Sequence, residues 1–128
     1  MLSVTFRYAL ISLLEIAAND GLQASVIAER HQLSSRYLAN VLSDLRRLGL
    51  VISQKGRKGG YHLARSAETI TLLDLQLGIT GSREPLNHSP VDGWIQELEE
   101  RWLQDLASTS LASLSNVLPA RTSESVSD

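Results

Sequence analysis

Nine hydrogen-bonding side chains between Arg36 and Lys58 carry the chemistry this chain has to offer. Arg36, Tyr37, Asn40, Ser43, Arg46 and Arg47 share one side of a helical pattern, and Lys55, Arg57 and Lys58 follow in a short glycine-rich stretch. All nine donate hydrogen bonds and six are cations at neutral pH, a set suited to phosphate oxygens and base edges. Covalent catalysis finds no comparable set. The chain has no cysteine, which excludes disulfides, cysteine nucleophiles and any cysteine-ligated zinc or iron–sulfur site. It has no Walker-type phosphate loop, dinucleotide fingerprint, zinc-peptidase helix or nucleophile elbow. Gly56-Arg57-Lys58-Gly59-Gly60 lies between two strand-like runs, with no helix N-terminus to hold a phosphate. The carboxylates gather on a late helix, as a solvated face rather than an acid/base pair. No enzymatic activity is expected.

The elements that must position these residues follow from periodicity. Leu38, Val41, Leu42, Leu45 and Leu48 recur at helical steps and predict a core-facing stripe, with Ser34 or Ser35 as N-cap and Gly49 as the stop. The polar set then faces outward. After Gly49 the period changes: Leu50-Val51-Ile52-Ser53 and Tyr61-His62-Leu63 read as two strands, with Lys55 to Gly60 as a hairpin tip holding three cations and three glycines. A helix running into such a hairpin is the outline of a winged helix.

Upstream, Ser3 caps an expected helix from Val4 to Ala18 whose buried stripe is Phe6, Leu10, Leu13, Leu14 and Ala17, with Arg7 and Tyr8 on its polar side and Asn19-Asp20-Gly21 as its end. A second helix is expected from Ala24 to His31. Gln32-Leu33-Ser34 has the length of the turn in a helix-turn-helix, whose second helix enters the major groove. Arg7 and Glu15 interrupt the first apolar stretch, which is too short to span a bilayer and lacks a signal-peptide cleavage region. A cytoplasmic protein with no membrane partner is therefore expected.

Downstream, Thr71 to Asp74 resembles a capping box opening a helix from Leu72 to Ile79, in which Gly78 is a weak point. Gly81 to Gly93 reads as a loop. Trp94, Ile95, Leu98, Trp102 and Leu106 form the stripe of a longer helix whose polar face, Glu97, Glu99, Glu100 and Asp105, is acidic. A stripe lying beyond the compact unit needs a partner, and a second copy of the chain is expected to supply it. Ser110 caps an expected last helix, Leu111 to Leu118, before a polar tail. Charge divides along the same line: nine Lys and Arg against four Asp and Glu up to Arg65, net +5, and three against ten from Ser66 on, net −7. A polyanion would be drawn to the first half only.

The fold expected is therefore mainly helical with a small β-hairpin wing. It comprises a winged helix-turn-helix over residues 1–80, a loop over 81–93, dimerisation helices over 94–118 and a disordered tail over 119–128. From Ser3 to about Leu114 the chain resembles the Rrf2 family of bacterial winged-helix transcription regulators. The resemblance rests on Arg7-Tyr8-Ala9-Leu10, Ile27-Ala28-Glu29-Arg30, Ser35-Arg36-Tyr37-Leu38 and Leu45-Arg46-Arg47-Leu48-Gly49-Leu50-Val51. It continues with Gly59-Gly60-Tyr61-His62-Leu63-Ala64-Arg65, Ile70-Thr71-Leu72 with Asp74, and Ser110-Leu111-Ala112-Ser113-Leu114.

The resemblance implies a homodimer, a repressor by expectation, that binds double-stranded DNA at an inverted-repeat operator. Carried over by position, Ser35, Arg36, Tyr37 and Asn40 would meet the major groove and the wing residues Lys55, Arg57, Lys58, Gly59 and Tyr61 the minor groove. Arg7, Arg46 and Arg47 are expected on the DNA backbone, and Trp94, Ile95, Leu98, Trp102 and Leu106 at the dimer interface. Three positions depart from the family pattern. Arg57 and Lys58 replace a frequent Pro-Gly and make the wing more basic, while Gln23 stands where a capping serine is common. Many relatives hold an iron–sulfur cluster on three cysteines in the loop matching Ser82 to Asp92, and here that loop offers no thiolate. His88 with Glu84 and Asp92 is a weak donor set. No metal or cofactor is therefore expected, and a regulatory protein or small ligand is left as the signal. His31 and His62 are expected at the surface. The competing reading is a winged-helix module that docks a protein partner; the cationic wing suits phosphate better.

Overall fold

The computed structural model describes residues 3–19, 21–56, 59–80 and 89–118. Arg57 and Lys58, most of the loop that follows Thr80, and the tail from Pro119 lie outside the described residues.

The helix-turn-helix forms where the periodicity places it. α1 spans Val4–Ala18, with the Ser3 hydroxyl accepting from Phe6 N at 3.0 Å. α2 spans Ala24–His31 and α3 spans Ser35–Arg47, the latter capped by Ser34, whose hydroxyl accepts from Tyr37 N at 3.3 Å. Between α2 and α3 the chain reverses through Gln32, in the left-handed region at φ 54°. Leu38, Val41, Leu42 and Leu45 are buried as expected, but Leu48 is exposed because the helix has ended at its own position.

α1 is more deeply embedded than a single stripe implies. It touches α2, α3, the hairpin and the helix that follows it, so Tyr8, Ala9, Ser12, Glu15 and Ile16 are buried along with Phe6, Leu13 and Leu14. Leu10 is only half-buried and Ala17 is exposed. A helix surrounded on several sides needs apolar or satisfied residues around most of its circumference. Ser12 meets that need by donating to Tyr8 O at 2.8 Å.

β1, Val51–Gln54, and β2, Gly60–Leu63, pair antiparallel with Val51 opposite Leu63 and Gln54 opposite Gly60. The hairpin does not stand free. Leu22, in the turn after α1, exchanges backbone bonds with Tyr61: Leu22 N donates to Tyr61 O at 3.3 Å and Tyr61 N to Leu22 O at 2.7 Å. Gln23 makes no side-chain cap for α2; its amide instead donates to Gly59 O at 3.0 Å, adding a second tie to the wing.

α4, Leu72–Thr80, opens with the expected capping box: Asp74 N donates to Thr71 Oγ1 at 3.2 Å and Thr71 N to Asp74 Oδ2 at 3.0 Å. Gly78 has a packing role, since a Cβ there would lie 2.6 Å from Leu48 Cδ1. α5 spans Pro90–Ala107 and packs on α4. It begins before Trp94, which corrects the expected loop through Gly93. Ser89 and Asp92 form a reciprocal capping box, and Pro90 occupies the first helical position, where its missing N–H goes unused. The expected last helix is only a 3₁₀ turn, Ala112–Leu114. It folds back onto the first unit: Leu72 N donates to Thr109 O and Leu111 N to Ile70 O, each at 2.9 Å, and Leu111 is buried in the common core. The segment after α5 thus packs against the winged-helix body through Leu111, Leu114 and Leu118.

Candidate nucleic-acid interface

Because Leu38, Val41, Leu42 and Leu45 turn toward the core, a helix advancing about 100° per residue sends the opposite side to solvent. Arg36, Asn40, Ser43 and Arg47 stand at i, i+4, i+7 and i+11 on that side, and all four are exposed. They form a straight donor-rich row. Ser35 and Arg46 are exposed beside the row. Arg47 pairs with Asp44 at 3.1 Å, an exposed contact that contributes little to stability and leaves the guanidinium accessible. Arg7 on α1 is exposed, as is Lys55 at the start of the wing tip.

Four sequence-assigned residues sit otherwise than expected. Tyr37 is half-buried: its ring meets the Tyr8 ring edge-on, with centroids 4.7 Å apart, and its hydroxyl bonds to Thr5 Oγ1. Gly59 is buried, its carbonyl occupied by Gln23. Tyr61 is half-buried against the core and spends its backbone groups on Leu22. These three build the surface rather than project from it. Leu106 is buried in its own chain at 6% exposure, so it has little side chain left to offer a partner. The rest of the expected dimer stripe behaves differently. Trp94, Ile95 and Leu98 are 59%, 38% and 43% exposed, joined by Val91 at 61%, while Trp102 is half-buried.

Sequence reasoning missed the ion-pair cluster beneath the helix-turn-helix. Glu15 is fully buried on α1 and receives Arg30 Nη1 at 3.0 Å on one carboxylate oxygen, while His31 Nε2 lies 2.6 Å from the other. Asn19 Nδ2 adds a weaker contact at 3.4 Å. His31 is therefore half-buried and partnered, not a plain surface residue, and His62 is half-buried as well. The available signal was a lone carboxylate inside an apolar helix, followed by adjacent Arg30 and His31 at the end of the next.

No helix among the described residues is long and apolar enough to cross a membrane. A thiolate-held iron–sulfur cluster does not fit this chain's donors. The chain has no thiolate, and among the described residues no three His, Asp or Glu side chains converge.

Comparison with known proteins agrees with this architecture. The family model described as Rrf2, iron-dependent transcriptional regulator, matches residues 2–117. The HTH-type transcriptional regulator CymR of Bacillus subtilis is 32% identical over 123 residues, covering 84% of this chain and 89% of that protein. The solved structure of CymR, the global cysteine regulator of B. subtilis, superposes with a TM-score of 0.80 over 93% of this chain and 98% of that one, at 30% identity. That of T. potens IscR gives a TM-score of 0.81 over 98% and 96%, at 26% identity. Relatives of this kind are regulators rather than enzymes, and they do not favour the protein-docking module. With a winged helix-turn-helix, an outward row of donors on its second helix and a family match along nearly its whole length, the chain belongs to the Rrf2 family of DNA-binding transcriptional regulators.

Proposed function

We propose that the chain works as a cytoplasmic homodimeric repressor, occupying an inverted-repeat operator with one α3 in each of two successive major grooves. The row Arg36, Asn40, Ser43 and Arg47, exposed along one side of a helix whose other side is buried, carries this reading. Arg36 and Asn40, nearest the N-terminal end, read bases; Arg46, Arg47 and Arg7 meet phosphates; Lys55 leads the wing into the flanking minor groove. Without thiolates the protein acts free of an iron–sulfur cluster, and its signal is a regulatory protein or a small ligand.

Fluorescence anisotropy on duplexes over a salt series tests the DNA reading. Log affinity is expected to fall linearly with log salt, with a slope of about −0.9 per phosphate contacted. Arg36→Ala is expected to weaken binding to the preferred duplex by about 1–3 kcal/mol and to spare random duplex. Equal losses on both duplexes, or salt-insensitive binding, would remove the assignment.

The dimer rests on Val91, Trp94, Ile95 and Leu98, large apolar side chains exposed together on α5. Contiguous apolar surface of this kind marks an interaction site, and a two-fold partner presents the same patch in return. Trp94→Asp is expected to give a monomer by light scattering that binds a full operator no better than a half-site. A variant that keeps the dimer mass would put the interface elsewhere.

A further inference from the structure

We propose that Tyr8 and Thr5 on α1 are positioning residues for base reading, holding the leading end of α3 so that Arg36 and Asn40 enter the groove at one depth and one rotation. The inference rests on the DNA reading proposed above. The geometry is a short chain of contacts. Ser34, the N-cap of α3, donates its backbone N–H to the Tyr8 hydroxyl at 3.0 Å, and its own hydroxyl accepts from Tyr37 N at 3.3 Å. Tyr37 in turn lies with its ring edge against the Tyr8 ring, at 74° between planes, and its hydroxyl bonded to Thr5 Oγ1. Arg36 sits between the two tethered residues, Ser34 and Tyr37, so the fastened turn is the one that carries it.

Tyr8 is only 9% exposed and cannot itself touch a duplex. Whatever it contributes to recognition passes through α3. Bidentate base contacts tolerate errors of only about 0.5 Å and 10–20° in the presenting element. A helix start held by two hydroxyls and a ring stacked edge-on meets that demand better than one held by aliphatic packing.

Tyr8→Phe keeps the ring and its edge contact while removing the acceptor for Ser34 N–H, and Thr5→Val keeps volume while removing the hydroxyl. Affinities of the full chain are measured for a duplex enriched by the wild-type protein from a randomised pool and for a random duplex of equal length. Each substitution is expected to lower the ratio of the two affinities about fivefold, the effect of losing roughly one hydrogen bond, with random-duplex binding unchanged. In an Arg36→Ala, Asn40→Ala background neither should lower the ratio further. An unchanged ratio in both variants, while Arg36→Ala alone does lower it, overturns the positioning role and leaves the DNA reading intact. Parallel losses on both duplexes with a lowered melting temperature make the pair structural only and overturn it too. If Arg36→Ala leaves the ratio unchanged, the DNA reading itself fails, and the positioning role with it.

Discussion

Arg30→Ala is expected to destabilise the folded chain by about 3 kcal/mol, the lower part of the range for breaking a buried ion pair by removing one member. The reason lies in the asymmetry of burial around Glu15. Its side chain is wholly inaccessible, whereas Arg30 keeps 28% and His31 18% of their side-chain surface in contact with solvent. Deleting Arg30 takes the guanidinium from an inaccessible carboxylate and leaves it with His31 and the weaker Asn19 contact. Deleting the carboxylate instead leaves two partly hydrated groups that can turn to solvent. Glu15→Gln should therefore cost less than Arg30→Ala, and the double variant should recover part of the loss. Urea unfolding measures all three. With a slope of about 2 kcal/mol/M, the Arg30→Ala midpoint should drop by about 1.5 M. A drop no larger than that of Glu15→Gln would mean that the carboxylate does not depend on Arg30. The cluster joins α1 to α2, so its loss should also loosen the element against which α3 is set.

Gly60→Ala is the second substitution expected to do severe damage. Gly60 has φ of +122°, a conformation essentially reserved for glycine, in which another residue incurs about 1–3 kcal/mol of strain. An added Cβ would in addition lie 2.6 Å from Leu22 O and 2.7 Å from Gly21 O. Those are backbone atoms, and they can move away only by opening the Leu22–Tyr61 bridge, at about 1 kcal/mol per hydrogen bond lost. The expected outcome is a chain less stable by about 3 kcal/mol or more, with a wing detached from the helix-turn-helix and weaker DNA binding. Gly56→Ala is the control: at φ +104° it has backbone strain, but its Cβ would meet nothing within 4 Å. Equal thermal shifts for the two would show that the close approach at Gly60 carries no cost.

What could be read along the chain was whatever neighbouring residues settle among themselves. Ser3, Ser34 and the Thr71–Asp74 pair begin their helices by bonding N–H groups within three residues, so α1, α3 and α4 start where the caps stand. The change from helical to alternating period at Gly49 separates α3 from the wing, and the row from Arg36 to Arg47 follows from the leucines opposite it. The loop expected through Gly93 overlaps the first turn of α5 because Pro90 suits a loop and a first helical turn alike; the Ser89–Asp92 box distinguishes them.

The remaining features depend on partners far away in sequence, which periodicity does not register. Glu15 is buried because Arg30 and His31 arrive from α2; taken alone it is one more polar residue on an apolar helix. Tyr37 counts as an outward donor by spacing, yet Thr5 and Tyr8 draw it in. Glycines 59 and 60 suggest a supple tip; instead Gly60 lets the wing press against the turn at Leu22, and Gly59 lies close against the Gln54 and Gly56 carbonyls. Local hydrogen bonding and hydrophobic period thus set the elements and their solvent faces. Close packing between distant segments then chose which of those side chains remained free to meet DNA.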